Sequence, residues 1–312
     1  MLIFSLGYFT DVACIDNKYY LLDLRSGIWK KTISTADPKK LISIDFQGQK
    51  SRVEMQSIRP WKSLAVMLKY KKLVLYDISH EPESPNGVQP TTVIYNEDEK
   101  GVDVSDFCFS PSISSVRNKS STEALLLLES NMIIVKSIIR KEVPSESEDV
   151  NAPKKHEYSV EFASKLELNT IDSRVEVARR FKVTPDKKYV LVMMHTAKTR
   201  KASRILILGY FKDQLYHRAY FNLLNQPFNL GYSIGIIGNH QNHLLFCLIG
   251  RYMGKRVARH FCFNTIKSRV QELVHLRKVV NVGFTDKLYN VSDKELLTVD
   301  ENGRLLSLIY LY

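Results

Sequence analysis

Between Arg52 and Ser79 the chain reads RVEMQSIRPWKSLAVMLKYKKLVLYDIS, in which short apolar, β-branched runs are separated by polar turns. Val53 to Ile58 predicts a first strand, Arg59 to Lys62 a turn, Leu64 to Leu68 a second strand and Leu73 to Ile78 a third. A helix would need apolar positions spaced at 3.6 residues, and none of these runs has that spacing. The segment therefore predicts an antiparallel meander, with an outer strand at Thr91 to Tyr95 reached through the Pro-rich stretch from His80 to Pro90.

The same unit returns loosely along the chain. A first copy spans Leu2 to Ser34, with turns at Asp16-Asn17 and at Arg25 to Gly27. A third runs from Val104 through Leu125 to Leu128 and Met132 to Ile139, with Tyr158 to Leu168 as its outer strand. A fourth has Val177 to Pro185, Tyr189 to His195, Arg204 to Tyr210 and Tyr216 to Leu224. A fifth has Tyr232 to Ile237, Leu244 to Ile249, Arg259 to Asn264 and Arg269 to Leu276, and a sixth has Val279 to Thr285, Glu295 to Val299 and Arg304 to Tyr310. Corresponding inner strands fall roughly 45 to 75 residues apart, which suits blades of about 40 to 50 residues with loop insertions. One such blade cannot cover its own apolar faces, so blades must stack.

Three details resemble the WD40-type repeat. Leu22-Asp23 followed by Leu24-Arg25-Ser26-Gly27 has the shape of that family's Trp-Asp strand end and turn, with Leu for Trp, and Tyr76-Asp77-Ile78 stands at the same place in the second unit. Phe109-Ser110-Pro111 resembles the inner-strand ending, and Pro185-Asp186-Lys187 resembles the Pro-Asp-Gly turn with Lys in place of Gly. No Gly-His and no Trp-Asp dipeptide occurs. The resemblance implies one all-β domain over residues 1–312, a β-propeller of about six or seven four-stranded blades, incompletely closed if nothing fills the last sheet; a β-sandwich pair is the alternative array. Unit six ends one strand short by this analogy, and Met1 to Tyr8 is the segment available to complete it. Left unfilled, that edge would invite a strand from a partner. Residues 143–156, charged and poor in apolar side chains, are expected to form a disordered loop.

Composition, at 44% hydrophobic and 25% charged residues, permits a sizeable core. Cys14, Cys108, Cys247 and Cys262 lack metal-ligand spacing and read as reduced core residues, which predicts an intracellular protein of cytoplasm or nucleus. No run of 18 apolar residues exists, so no membrane insertion is expected. A net charge of +12 favours acidic partners.

Chemistry is sparse. Neither a Gly-x-Ser-x-Gly elbow nor a phosphate-binding GxxxxGK[ST] loop is present. His240 and His243 are expected to point apart as surface-turn residues, and the Glu97 to Glu99 and Glu146 to Asp149 runs read as solvated loops. No catalytic residue, metal or cofactor is expected, and the chain reads as a non-enzyme. The candidate contacts are basic: Lys198, Arg200, Lys201 and Arg204 between two strands of unit four, and Arg251, Lys255, Arg256 and Arg259 at the equivalent hairpin of unit five. On one rim they would gather about eight positive charges, enough for salt-dependent binding of phosphate or an acidic protein tail. Tyr210, Tyr252 and His260 are candidates for stacking on bases. What the resemblance implies is an interaction scaffold, a subunit of a larger intracellular assembly with protein partners. The alternative is an RNA-associated subunit in ribosome assembly or RNA modification that grips phosphate through the basic rim.

Overall fold

In the computed structural model, the described residues are those of the strands given below with some adjoining turns, and side chains are described within 73–75, 104–141 and 157–273. All the described regular structure is β, in six antiparallel sheets. Sheet one holds β2 (Phe9–Ile15), β3 (Lys18–Asp23), β4 (Trp29–Ser34) and β5 (Asp37–Ile44). Sheet two holds β6 (Val53–Gln56), β7 (Leu64–Lys69), β8 (Lys72–Asp77) and β9 (Thr92–Asn96). Sheet three holds β10 (Val104–Ser110), β11 (Ser121–Glu129), β12 (Met132–Glu142) and β13 (His156–Glu167). Sheet four holds β14 (Glu176–Val183), β15 (Tyr189–Thr196), β16 (Ala202–Phe211) and β17 (Gln214–Asn222). Sheet five holds β18 (Phe228–His240), β19 (His243–Tyr252), β20 (Lys255–Asn264) and β21 (Arg269–Glu272), with β22 (Lys278–Val279) on the outer side of β20. Sheet six joins β23 (Tyr289–Ser292), β24 (Glu295–Val299) and β25 (Leu305–Ile309) to β1 (Leu2–Phe4).

Sheets one to five follow chain order as meanders, sheet six is a three-stranded meander joined by β1, and the first strand of each meander lies beside the first strand of the next, from β2 through β6, β10, β14 and β18 to β23; β2 in turn touches β23 and β24. This is the architecture of a β-propeller. Two expectations need correction. Leu2–Phe4 does not open unit one: it pairs with Leu305 to Ser307 in sheet six, the place for which Met1 to Tyr8 is the available segment, and the fourth strand of sheet one is Asp37–Ile44, whose Pro38 and paired lysines hide a strand signal. Val279 does not begin the inner strand of unit six; it pairs with Val257 on sheet five, and the inner strand is Tyr289–Ser292. Of the expected disordered loop, 143–155 lies outside the described residues, and His156 already pairs with Glu142 in the β12–β13 ladder.

The continuous apolar runs follow from burial on both faces. Along β11, Leu125 and Leu127 enter the cluster shared with Leu73 and Leu75 of sheet two, whereas Leu126 and Leu128 enter the cluster shared with Phe181, Val192 and Leu206 of sheet four. Along β15 and β16 the same alternation sends Leu191, Met193, Ile205 and Ile207 toward Phe246, Phe261 and Phe263 of sheet five. A half-exposed sheet would alternate apolar with polar, but a sheet sandwiched between two neighbours need not.

Polar ties fix how the sheets meet. Buried Asp106 on β10 accepts the backbone N–H of Phe181 on β14 at 2.9 Å and that of Phe107 at 3.0 Å. Asn131, in the β11–β12 turn, accepts Ala178 N–H at 2.9 Å and donates to Glu176 O at 3.2 Å, so its amide pairs with β14 like a piece of strand. At the outside, His217 Nε2 lies 3.3 Å from Glu167 O of sheet three, and Arg218 donates to Thr265 O of sheet five at 3.1 Å.

Two outcomes test this arrangement. Asp106→Ala strands the Phe181 N–H and should cost about 2–3 kcal/mol in urea denaturation, with Asp106→Asn costing less. Removal of residues 1–8 exposes the β25 edge and should lower the melting temperature by about 5 °C or more; an unchanged melt with retained partner binding would show that this edge does not depend on the chain's own first strand.

Candidate partner-binding rim

Strand direction decides which turns share a rim. Ala202 at the start of β16, Leu223 just after β17 and Val257 near the start of β20 pack in one cluster between sheets four and five. At the other end of the same sheets, Tyr189 makes an edge contact with Phe263, ring centroids 5.7 Å apart. The two sheets thus run in the same sense, and the β15–β16 and β19–β20 hairpins open on one rim. In the second hairpin the register sets Arg251 opposite Arg256 and Tyr252 opposite Lys255. Lys198, Arg200 and Lys201 lie outside the described residues, in the connection that leaves Thr196 and enters Ala202, and the side chains of Arg251, Tyr252, Lys255 and Arg256 lie outside them as well.

Two of the eight basic candidates are not rim cations. Arg204 is only 7% exposed and forks onto Glu176, with Nη2 to Oε2 at 2.7 Å and Nε to Oε2 at 3.0 Å, while Ser203 Oγ donates to Glu176 Oε1 at 2.5 Å. Its guanidinium also faces the Tyr220 ring, 5.9 Å from the centroid. Arg259, 3% exposed, donates from Nε to Glu272 Oε1 at 2.7 Å, pairs through Nη2 with Oε2 and lies over the Phe261 ring. A charge this deeply desolvated requires a partner, and both arginines have one inside the fold. The candidate stacking residues Tyr210 and His260 are buried too, at 7% and 3% exposure.

The histidine turn also differs from expectation. His240 and His243 are directly paired across a two-residue turn, so the two positions share a face rather than pointing apart. His243 Nε2 lies 3.2 Å from Asn264 Nδ2, and among the described residues no group of three or more His, Cys, Asp or Glu could hold a metal ion. Cys247 is buried and unbridged, and burial pushes the half-buried Cys262 thiol above its usual pKa.

His195, at the rim end of β15, is the perturbed group that sequence reading missed. It is buried, its Nε2 has no hydrogen-bond partner, and its pKa is lowered from 6.5 to about 4, first by burial and then by the Arg179 and Arg180 charges. Arg179 is the extra residue of a bulge between Ala178 and Arg180 on β14, the first strand of the sheet. A neutral histidine in an apolar run carries no sequence signal of its own.

No family model matches this sequence, and no curated protein does. Solved structures similar to it include the periplasmic gluconolactonase PpgL of Pseudomonas aeruginosa, at 11% identity and a TM-score of 0.45, covering 85% of this chain and 68% of that one. Chaetomium thermophilum Sqt1 is similar at 10% identity and a TM-score of 0.43, covering 99% and 98% of the two chains. The same protein bound to the N-terminus of ribosomal protein L10 is similar at 11% identity and a TM-score of 0.42, covering 99% and 100%. The gluconolactonase corrects the expectation of a non-enzyme: an enzyme stands among the similar structures, and the architecture does not by itself separate catalytic from other chains.

The His195 environment sets a pH dependence. Since the folded pKa lies below the unfolded one, the unfolded chain binds the extra proton, and stability that is complete above pH 6.5 declines as pH falls toward about 4. Chemical denaturation across that window should show a loss on the order of 2 kcal/mol that His195→Leu removes.

Proposed function

We propose that this chain is a protein-interaction platform, a subunit of a larger assembly, that binds an acidic segment of a partner protein through the rim bearing the β15–β16 and β19–β20 hairpins. The observation that carries the reading is the register of the second hairpin. Arg251 and Arg256 occupy directly opposite positions next to the Tyr252–Lys255 pair. Like charges set opposite each other on a hairpin are unfavourable, and a carboxylate-bearing partner relieves the repulsion while forming charge-assisted hydrogen bonds. Lys198, Arg200 and Lys201 belong to the neighbouring connection, so six candidate cations remain once Arg204 and Arg259 are set aside.

A protein partner is favoured over RNA by the burial of two of the three candidate stacking residues. With Tyr210 and His260 inside, Tyr252 alone of the three is left as a candidate for gripping bases.

Fluorescence anisotropy with a Glu/Asp-rich peptide and with an oligoribonucleotide tests the reading. The peptide should bind with strong salt dependence, and Arg251→Glu with Arg256→Glu should weaken it roughly ten- to a hundredfold while the melting temperature holds. Preference for the oligoribonucleotide, lost in the same variant, would overturn the protein-partner reading in favour of RNA.

A further inference from the structure

The opposite rim of sheets four and five carries a different surface. Four turns open there: 184–188, 211–214, 240–243 and 264–269. Each contains one non-glycine residue at positive φ, respectively Lys187, Lys212, Gln241 and Ser268, with φ of 61°, 48°, 51° and 50°. Backbone in this conformation makes abrupt reversals. Two large apolar side chains at these turns are exposed: Phe211, the last residue of β16, is 61% exposed and Ile266 is 70% exposed. The other strongly exposed apolar side chains, Phe162, Tyr216 and Tyr220, lie along outer strands, where Tyr216 covers the backbone at Gly209 and Tyr220 faces Arg204.

Cations lie in the same turns. Lys188, Lys212, Lys267 and Arg269 are exposed, Lys187 is half-buried, and Lys212 Nζ sits 5.3 Å from the centre of the Phe211 ring. The carboxylates in these turns are Asp186 and Asp213, and Asp186 accepts the Thr184 hydroxyl and the Lys188 N–H. The turns of the two sheets are neighbours through the Tyr189–Phe263 contact and the Arg218–Thr265 hydrogen bond.

We infer that this rim docks on an anionic phospholipid surface, with the Phe211 and Ile266 side chains entering the headgroup boundary and the surrounding lysines and arginine meeting lipid phosphates. Exposed apolar side chains interspersed with cations fit a deformable hydrocarbon boundary under a negative surface. A nucleic acid would use the phenyl ring but has no use for Ile266, which cannot stack. A second protein would need two separate pockets, one for Phe211 and one for Ile266. The docking is peripheral: among the described residues no helix is long and apolar enough to cross a membrane.

Co-sedimentation of the full chain with vesicles tests the inference, comparing phosphatidylcholine alone with mixtures of phosphatidylcholine and phosphatidylserine. Binding should require phosphatidylserine and fall with added salt. Phe211→Ser with Ile266→Ser should lower partitioning by roughly tenfold or more, and Lys188→Glu with Lys267→Glu should lower it comparably. All four side chains are exposed, so melting temperatures should not move. Arg251→Glu with Arg256→Glu on the other rim should leave vesicle binding intact. As an independent readout, Phe211→Trp should shift its emission to the blue on adding the mixed vesicles. Absence of binding to the mixed vesicles, or binding that survives the apolar double substitution with no emission shift, overturns the inference. Loss of oligoribonucleotide binding in the lysine variant, without vesicle binding by the parent chain, assigns the rim to nucleic acid instead.

Discussion

A strand that is apolar on both faces has no stable place in a single sheet, and this requirement governs the whole arrangement. β11, β15 and β16 are the clearest cases: consecutive leucines, valines and isoleucines are divided between two clusters on opposite sides of the same sheet. The alternation of strand side chains turns one uninterrupted run into two half-interfaces. Stacking supplies the other halves, and among the described residues the exposed positions fall on rims, on outer strands and, at Arg179, on the first strand of sheet four.

Apolar stacking is tolerant of sliding, and the polar ties remove that freedom. Asp106 and Asn131 both bind the backbone of β14, one through Phe181 and the other through Glu176 and Ala178. Glu176 in turn neutralises Arg204 and engages Ser203, so its backbone and its carboxylate join three elements at one end of the sheet. Such buried groups weaken the fold unless fully partnered, and in exchange they allow one register.

Much of this was legible in the sequence, for a physical reason. Sheets two to four follow apolar runs bounded by polar turns, and their predicted strands match the observed ones to within a few residues. Sheet one was misframed because its last strand, Asp37–Ile44, is half polar and begins with a proline, while Leu2–Phe4 looks like an inner strand but completes sheet six. The basic candidates show the limit more sharply. Arg204 and Arg251 look alike in a string of letters, yet Arg204 is held by Glu176, a residue 28 positions away in sequence. Burial of a charge depends on that distant carboxylate, and spacing does not record it. Phe211 and Ile266 were passed over for the converse reason, since apolar residues in or beside strands usually face the core, whereas these two, at the end of β16 and in the turn after β20, are exposed.

The outermost strand of sheet four has attachments on both flanks, His217 to the main chain of sheet three and Arg218 to the main chain of sheet five. Peeling β17 away therefore ruptures contacts in three sheets at once, although none of its own side chains is fully buried. An array of stacked repeats can fray from its weakest unit. Here the margin of one unit is stitched to its neighbours, which couples their loss and pushes the array toward a single, concerted melting event.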